Sequence, residues 1–426
     1  MEESPPMGKI LPPMDRVGPR SGPMPGTLAA LVLPLLLAGL ACGSSPDSAL
    51  VTSSDPRLTK IAVRILPHLA SHSGMELRDP VRVERRSRVD LERYLEFKID
   101  EEFPEGRAEL LSEAYALLGL VPRAMDLRGM LKAIYLEQIA GFYDPDSTTL
   151  FVLDDQPDEA IESLLAHELV HAIQDQNTDL DAITAPGLNN DRRVAAQAAI
   201  EGHATLVMFE FLIREQGRGA LDPMDVPDSS ARLGPALQAA RTQSPALAGA
   251  PLVLQESVLF PYRGGVTFVE SLWRERGGRP PPFGPDLPSS TEQVLHPENF
   301  ARGWRDVPRN IEVSMEDGWS RLYEDTLGEL ELGILLETVG ASRSSALGWG
   351  GDRYVLLADG DGHRSLAWFG VWDTEAQRDE FARALEPRLS AFPEQASLTA
   401  MEIGGLPATR LLVGGVPEVA ASVGSP

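Results

Sequence analysis

An α+β fold, helical for most of its length, follows from three features of this 426-residue chain. Apolar residues recur at helical spacing through much of 58–140, 157–178, 191–217 and 252–278. One short β-rich run, TTLFVL at 148–153, interrupts them and predicts a hairpin or edge strand, hence a small edge sheet. After residue 310 strands and helices alternate, which predicts a smaller α+β region over 311–426. At a soft prior of ~150 residues per domain the length suits two or three units. The organisation expected is 1–42 signal, 43–57 tether, 58–310 helical region plus main core, and 311–426 C-terminal region.

The apolar run LAALVLPLLLAGLA (28–41) is too short for a comfortable membrane span and right for a signal-peptide core. Arg16 and Arg20 precede it, and the one cysteine, Cys42, follows it directly. The stretch GLACGSS resembles a bacterial lipoprotein signal, in which the cysteine carries lipid and starts the mature chain. Gly39 departs from that pattern, which prefers leucine, and an ordinary secretory signal is the alternative. The resemblance implies a lipid anchor on Cys42 and a place in the cell envelope. Residues 43–57 are rich in Ser, Asp and Pro and read as the tether.

Helices are then expected over 85–103, 106–121 and 127–140, with Pro122 breaking the pattern. The turn Asp144-Pro145-Asp146-Ser147 leads into the β-rich run. A helix follows, starting near Pro157 or Asp158, and a second long helix spans 191–217 with Asp191 or Asn190 as its expected cap. Residues 252–278 read as helical on both sides of Pro261, and 279–300 as a long Pro-rich loop. Beyond 310, TLGELELGILLETVG and TEAQRDEFARALEPRL are helices, and RYVLLADG and SLAWFGVW strands. GWGGDRY (348–354) lacks the lysine of a phosphate-binding loop and reads as a tight turn, with Asp352 and Arg353 as a candidate pair. A net charge of −25 argues against nucleic acid, whose binding needs a basic surface.

The chemistry sits in HELVH at 167–171. Residues i and i+4 share one face of a helix, so His167 and His171 can reach one metal. Catalytic zinc takes three protein ligands and leaves a fourth position to water. Glu168 lies beside the pair as a candidate base for that water. A random match is expected in roughly one chain in a hundred of this length and composition, so the motif informs without deciding. Two of only seven histidines fall at this spacing, which weakens the reading as a solvated helix face. Ile161, Leu165, Leu169 and Ala172 form an apolar stripe with the histidines to one side.

A third ligand is required. The arrangement H-E-x-x-H-x-x-G-x-x-H fails, because position 174 is Gln and position 177 is Asn. Glu201, thirty residues after His171 and flanked by Ala and Ile, is the candidate, since a carboxylate there is costly unless paired or metal-bound. His203 is the rival, but two positions on it points more than a right angle away. Thr205 and Asp175 are candidates for supporting the ligands.

H-E-x-x-H with a later glutamate is the gluzincin pattern, shared by thermolysin-like zinc metallopeptidases. More closely, the chain resembles a group of bacterial H-E-x-x-H envelope proteins. The likeness runs through LLGLV, EQIAGFYDP, HELVHAIQDQ, EGHAT, FPYRGG, PSSTEQVLHP, TLGEL, GWGGDRY and WDTEAQRDEF, over most of residues 106–385. His203 departs from it, standing where an acidic residue is frequent. The resemblance implies a zincin-like core, one zinc per chain on His167, His171 and Glu201, Glu168 as base, and peptide or protein substrates. It also implies a His or Tyr donor to the oxyanion from a later segment, for which His296 and then Tyr262 are candidates; Tyr143 is assigned to its turn. An edge strand beside the zinc helix would pair with substrate backbone. A non-catalytic zinc-binding lipoprotein and a metal-free envelope scaffold are the alternatives.

Overall fold

The computed structural model describes residues 50–104, 106–215, 229–315, 317–416 and 419–424. The signal segment, Cys42 and the tether up to residue 49 lie outside the described residues. Val51–Thr52 (β1), at the end of the expected tether, already belongs to a sheet. Asp55 then caps α1 (Pro56–Ser73), accepting from the amides of Arg57 and Leu58, with Pro56 in the first turn.

A strand follows where the sequence predicts mainly helix. In β2 (Val81–Arg86) Val81 and Val83 point inward while charged residues alternate with them. Ser87 caps α2 (Arg88–Glu102), and Asp126 caps α4 (Leu127–Gln138), which comes after α3 (Arg107–Leu117). β3 (Gly141–Asp144) and β4 (Thr149–Leu153) form the expected hairpin, its turn closed by Asp144 accepting from Ser147. The sheet order is β1-β2-β4-β3. Strand β4 is therefore interior and buried at every position, and the edge beside the next helix is β3.

That next helix, α5 (Ile161–Asp175), packs on α1, β3 and β4. Short α6 (Leu180–Ile183) leads to α7 (Asn190–Glu215), whose first turn is capped by Asn189 rather than by either expected residue. After α8 (Ser229–Gln243) and α9 (Pro245–Gly249), α10 (Leu252–Arg276) runs unbroken through Pro261 and lies against α7. The expected loop over 279–300 contains α11 (Thr291–Leu295), capped by Ser290, and leads into α12 (Pro297–Ala301).

The C-terminal part adds β5 (Ile311–Met315), β6 (Ser320–Asp325), α13 (Gly328–Thr338), β7 (Trp349–Ala358), β8 (Arg364–Trp372), α14 (Glu375–Leu385), β9 (Ala396–Ile403), β10 (Leu406–Val413) and β11 (Val419–Val423). An antiparallel sheet runs β6-β7-β8-β10-β9, and β11 pairs with β5. Alternation along β7 and β8 divides its two faces. Tyr354, Leu356, Leu366 and Trp368 join the main core with α1, α5, α7, α10 and α13. Val355, Leu357, Ala367 and Phe369 face a second cluster with β5 and β11. Packing therefore crosses residue 310, and Ser44–Pro426 forms one compact unit. The architecture is α+β. Among the described residues no helix is long and apolar enough to cross a membrane.

A candidate metal centre between two helices

Helices α5 and α7 bring three sequence-predicted ligands together. His167 Nε2 lies 3.1 Å from His171 Nε2 and 3.2 Å from Glu201 Oε2, and His171 Nε2 lies 3.6 Å from the same oxygen. The rings stand edge to face at 84°. A tetrahedral ion with bonds of ~2.0–2.1 Å has ligand atoms ~3.3 Å apart, so this triangle has the dimensions of one face of such a site. Two imidazole nitrogens and a carboxylate oxygen are also the donor chemistry that borderline divalent metals take.

Electrostatics follows from the geometry. Burial works to raise the Glu201 carboxyl, but the His171 and His167 imidazoles overcome it and hold it well below the usual carboxylate range. Burial works to lower His171, yet Glu201 and Glu168 push it up to about 9. Glu168 is raised by burial against the opposing pull of both histidines, and the Tyr143 backbone amide donates to it. That amide belongs to edge strand β3, so the candidate base and the open strand edge adjoin.

His203 lies outside this cluster. It is fully buried and its Nε2 donates to the Ser73 carbonyl at 3.0 Å. Its Nδ1 is thereby left as an acceptor, 2.9 Å from Gln174 Nε2, which also donates to the Ile200 carbonyl. The amide orientation of Gln174 is then fixed, and its Oε1 accepts from His171 Nδ1 at 2.8 Å. In the neutral imidazole His171 then carries its proton on Nδ1 and turns a bare Nε2 toward the cluster. One chain of hydrogen bonds from a main-chain carbonyl thus sets the tautomer of a candidate ligand. Burial holds His203 down at about 4, so it stays neutral.

Gln174 was not identified from the sequence, which pointed to Asp175. The two differ by ~100° around the helix. Asp175 instead accepts from the Tyr143 hydroxyl at 2.8 Å and ties α5 to β3. Thr205 is buried and its hydroxyl has no hydrogen-bond partner. A count of i+3 positions from His171 would have found Gln174.

Tyr262 on α10 joins the cluster, its ring centroid 6.2 Å from that of His167. The charge of Glu201 is the strongest influence on its phenol and, with burial, pushes it well above the ordinary value. Its place depends on a close helix crossing. A Cβ on Gly202 would meet the Gly265 backbone at 2.1 Å, and one on Gly265 would meet the Ala198 carbonyl at 2.0 Å. Two glycines therefore let α7 and α10 touch backbone to backbone, one residue from Glu201 and three from Tyr262.

His296, expected as an oxyanion donor, is placed elsewhere. It sits at the joint of α11 and α12, and its Nε2 bonds both carboxylate oxygens of Glu329 at 3.0 and 2.9 Å. The physical reason is the docking of α11 at the start of α7, where Thr291 donates to Asp191. Asp191 precedes Glu201 by ten residues, ~15 Å of helix. The Asp352–Arg353 pair is also absent. Asp352 is buried and accepts from the amides of Leu327 and Gly328 and the indoles of Trp349 and Trp368. Arg353 bonds Asn310 and the Ile311 carbonyl.

Residues 317–405 match a family model described as a domain of unknown function (DUF8575). The match covers the C-terminal sheet region from β6 through β9 and includes none of the three clustered residues His167, His171 and Glu201. The searches of curated proteins and of solved structures gave no match.

Proposed function

We propose that this chain is a zinc-dependent, gluzincin-like hydrolase that cleaves peptide bonds, with a zincin-type core built from α5, α7, α10 and the β3 edge. The observation that carries the reading is the convergence of His167, His171 and Glu201 at tetrahedral-face spacing, with a buried glutamate alongside. Zinc, when bound, supplies Lewis acidity to the substrate carbonyl and acidifies its water. Glu168 takes the water proton as oxygen attacks the carbonyl carbon, then passes it to the departing amine as the C–N bond breaks. Its raised pKa suits both transfers. Tyr262, kept protonated beside Glu201, donates to the oxyanion in place of His296. The free side of β3 aligns the substrate backbone. The lipoprotein-type signal supports anchoring through Cys42 in the cell envelope.

The test joins metal analysis to turnover. Wild type should carry one zinc per chain, Glu201→Ala almost none, and Glu168→Gln one zinc with turnover of an unfolded protein substrate reduced by roughly 10³-fold. Wild type purified without chelators and free of zinc would sink the proposal. Zinc retained with no hydrolysis by the wild type would favour a zinc-binding lipoprotein with a structural role.

A further inference from the structure

A second cluster lies in a cleft of about 300 Å³ lined by Glu292, His296, Trp304, Asp306, Leu347 and Asp373 among others. Glu292, Asp306 and Asp373 each bring a carboxylate oxygen within 4.8 Å of the others. Such clusters are common on surfaces, and Asp373 is itself exposed. Glu292 is different. It is only 4% exposed, and its Oε2 is buried with no hydrogen-bond partner. A buried polar atom without a partner is rare in native proteins and asks for an unseen water or ion.

The surroundings favour an ion. No lysine or arginine lines the cleft among the described residues. His296 is engaged by Glu329. Burial, then the charges of Glu329, Asp306, Asp373 and Asp191, push Glu292 up to about 10. A protonated acid would still leave its buried oxygen unpaired, whereas a cation would satisfy the oxygen and offset the repulsion together.

We propose that Glu292, Asp306 and Asp373 form a binding site for a hard divalent cation of the calcium class, separate from the histidine cluster. All three donors are oxygens, which calcium takes and which offer no nitrogen to a softer metal. All three oxygens lie within 4.8 Å of one another, no farther apart than two ligands of one calcium with ~2.4 Å bonds can stand. The cleft leaves room for the waters that complete six to eight ligands. Joining α11, the 302–310 segment and the end of β8, the ion would pin the C-terminal sheet region to the helical core.

Calcium chloride is titrated into the purified chain at constant ionic strength, read by Tm and by the emission of exposed Trp304 at the cleft rim. A saturable Tm rise of several degrees is expected, with a midpoint in the ~0.1–1 mM range of extracellular calcium modules. Glu292→Gln should be at least as stable as wild type without calcium, having lost a repelled buried acid, and indifferent to calcium. Asp306→Asn suits the left-handed backbone there (φ 28°) and should shift the midpoint at least tenfold, as should the exposed Asp373→Asn. Glu201→Ala should respond like wild type, which separates this site from the histidine cluster. A wild type unmoved up to ~10 mM calcium, a response matched by sodium chloride, or a Glu292→Gln response equal to wild type would overturn the proposal.

Discussion

Helix α7 carries carboxylates of opposite character at its middle and its start. Glu201, at the middle, is buried beside two imidazoles and is held ionised. Asp191, at the start, is buried among Asp352 and Glu329 and is pushed up to about 7, although Thr291 donates to it twice. Its neighbour Glu331, against Tyr115 and Asn190, is pushed up to about 8 by burial. Burial is common to all three. The sign of the shift is decided by whether a group able to carry positive charge stands within reach. Imidazole neighbours at the middle of the helix favour an ionised carboxylate. Without such a neighbour, the start favours protonated ones.

Three measurements would break or sharpen this contrast. The largest effect belongs to Tyr262→Phe, which should lower turnover by about 10²–10³ while zinc content stays at one per chain. Loss of zinc in that variant would mean that Tyr262 holds the cluster together and does not serve the oxyanion. Next is Gln174→Ala, which removes the partner of His171 Nδ1 and leaves all three ligands. Zinc affinity should fall about 10–100-fold. Unchanged affinity would show that the histidine needs no external orientation. The smallest effect is a pH dependence at the start of α7. A folded-state carboxyl raised above its unfolded value binds protons more tightly in the fold, so its share of stability is lost as pH climbs from about 4.5 to 8. Tm should fall by several degrees between pH 5.5 and 8.5, and Glu331→Gln should flatten that slope. A slope that survives Glu331→Gln would move its origin to Asp191 or Asp352.

The three residues that cluster between α5 and α7 were legible in the chain one by one. His167 and His171 are one turn apart, and Glu201 stands out as a carboxylate among alanines. The surrounding devices were not legible, for reasons of geometry. β2 escaped because VRVERR hides two inward valines among charges and lies in a run of helices. TTLFVL announced a strand, but its interior rank depends on β2 pairing 67 positions upstream, Arg82 with Thr149. His296 shares a motif-rich segment with Thr291, and only the docking of Thr291 on Asp191 shows which end of α7 it reaches. Asp352 looked like a partner for its neighbour, yet its partners come from three other places in the chain. The acidic cleft draws its residues from α11, a connecting segment and the end of β8, with no spacing that a reader of the sequence could recognise.

The contact between Gly202 and Gly265 bears on when the site can exist. An unfolded chain offers a metal at most the two histidines of one helical turn. The glutamate arrives only when α7 lies on α5, and the tyrosine only when α10 has closed to backbone contact. Complete coordination is thus a property of the native state. Any metal held there stabilises the fold by mass action, in proportion to the logarithm of its free concentration over its dissociation constant. Metal supply would then govern how much of the folded chain survives as well as how fast it works.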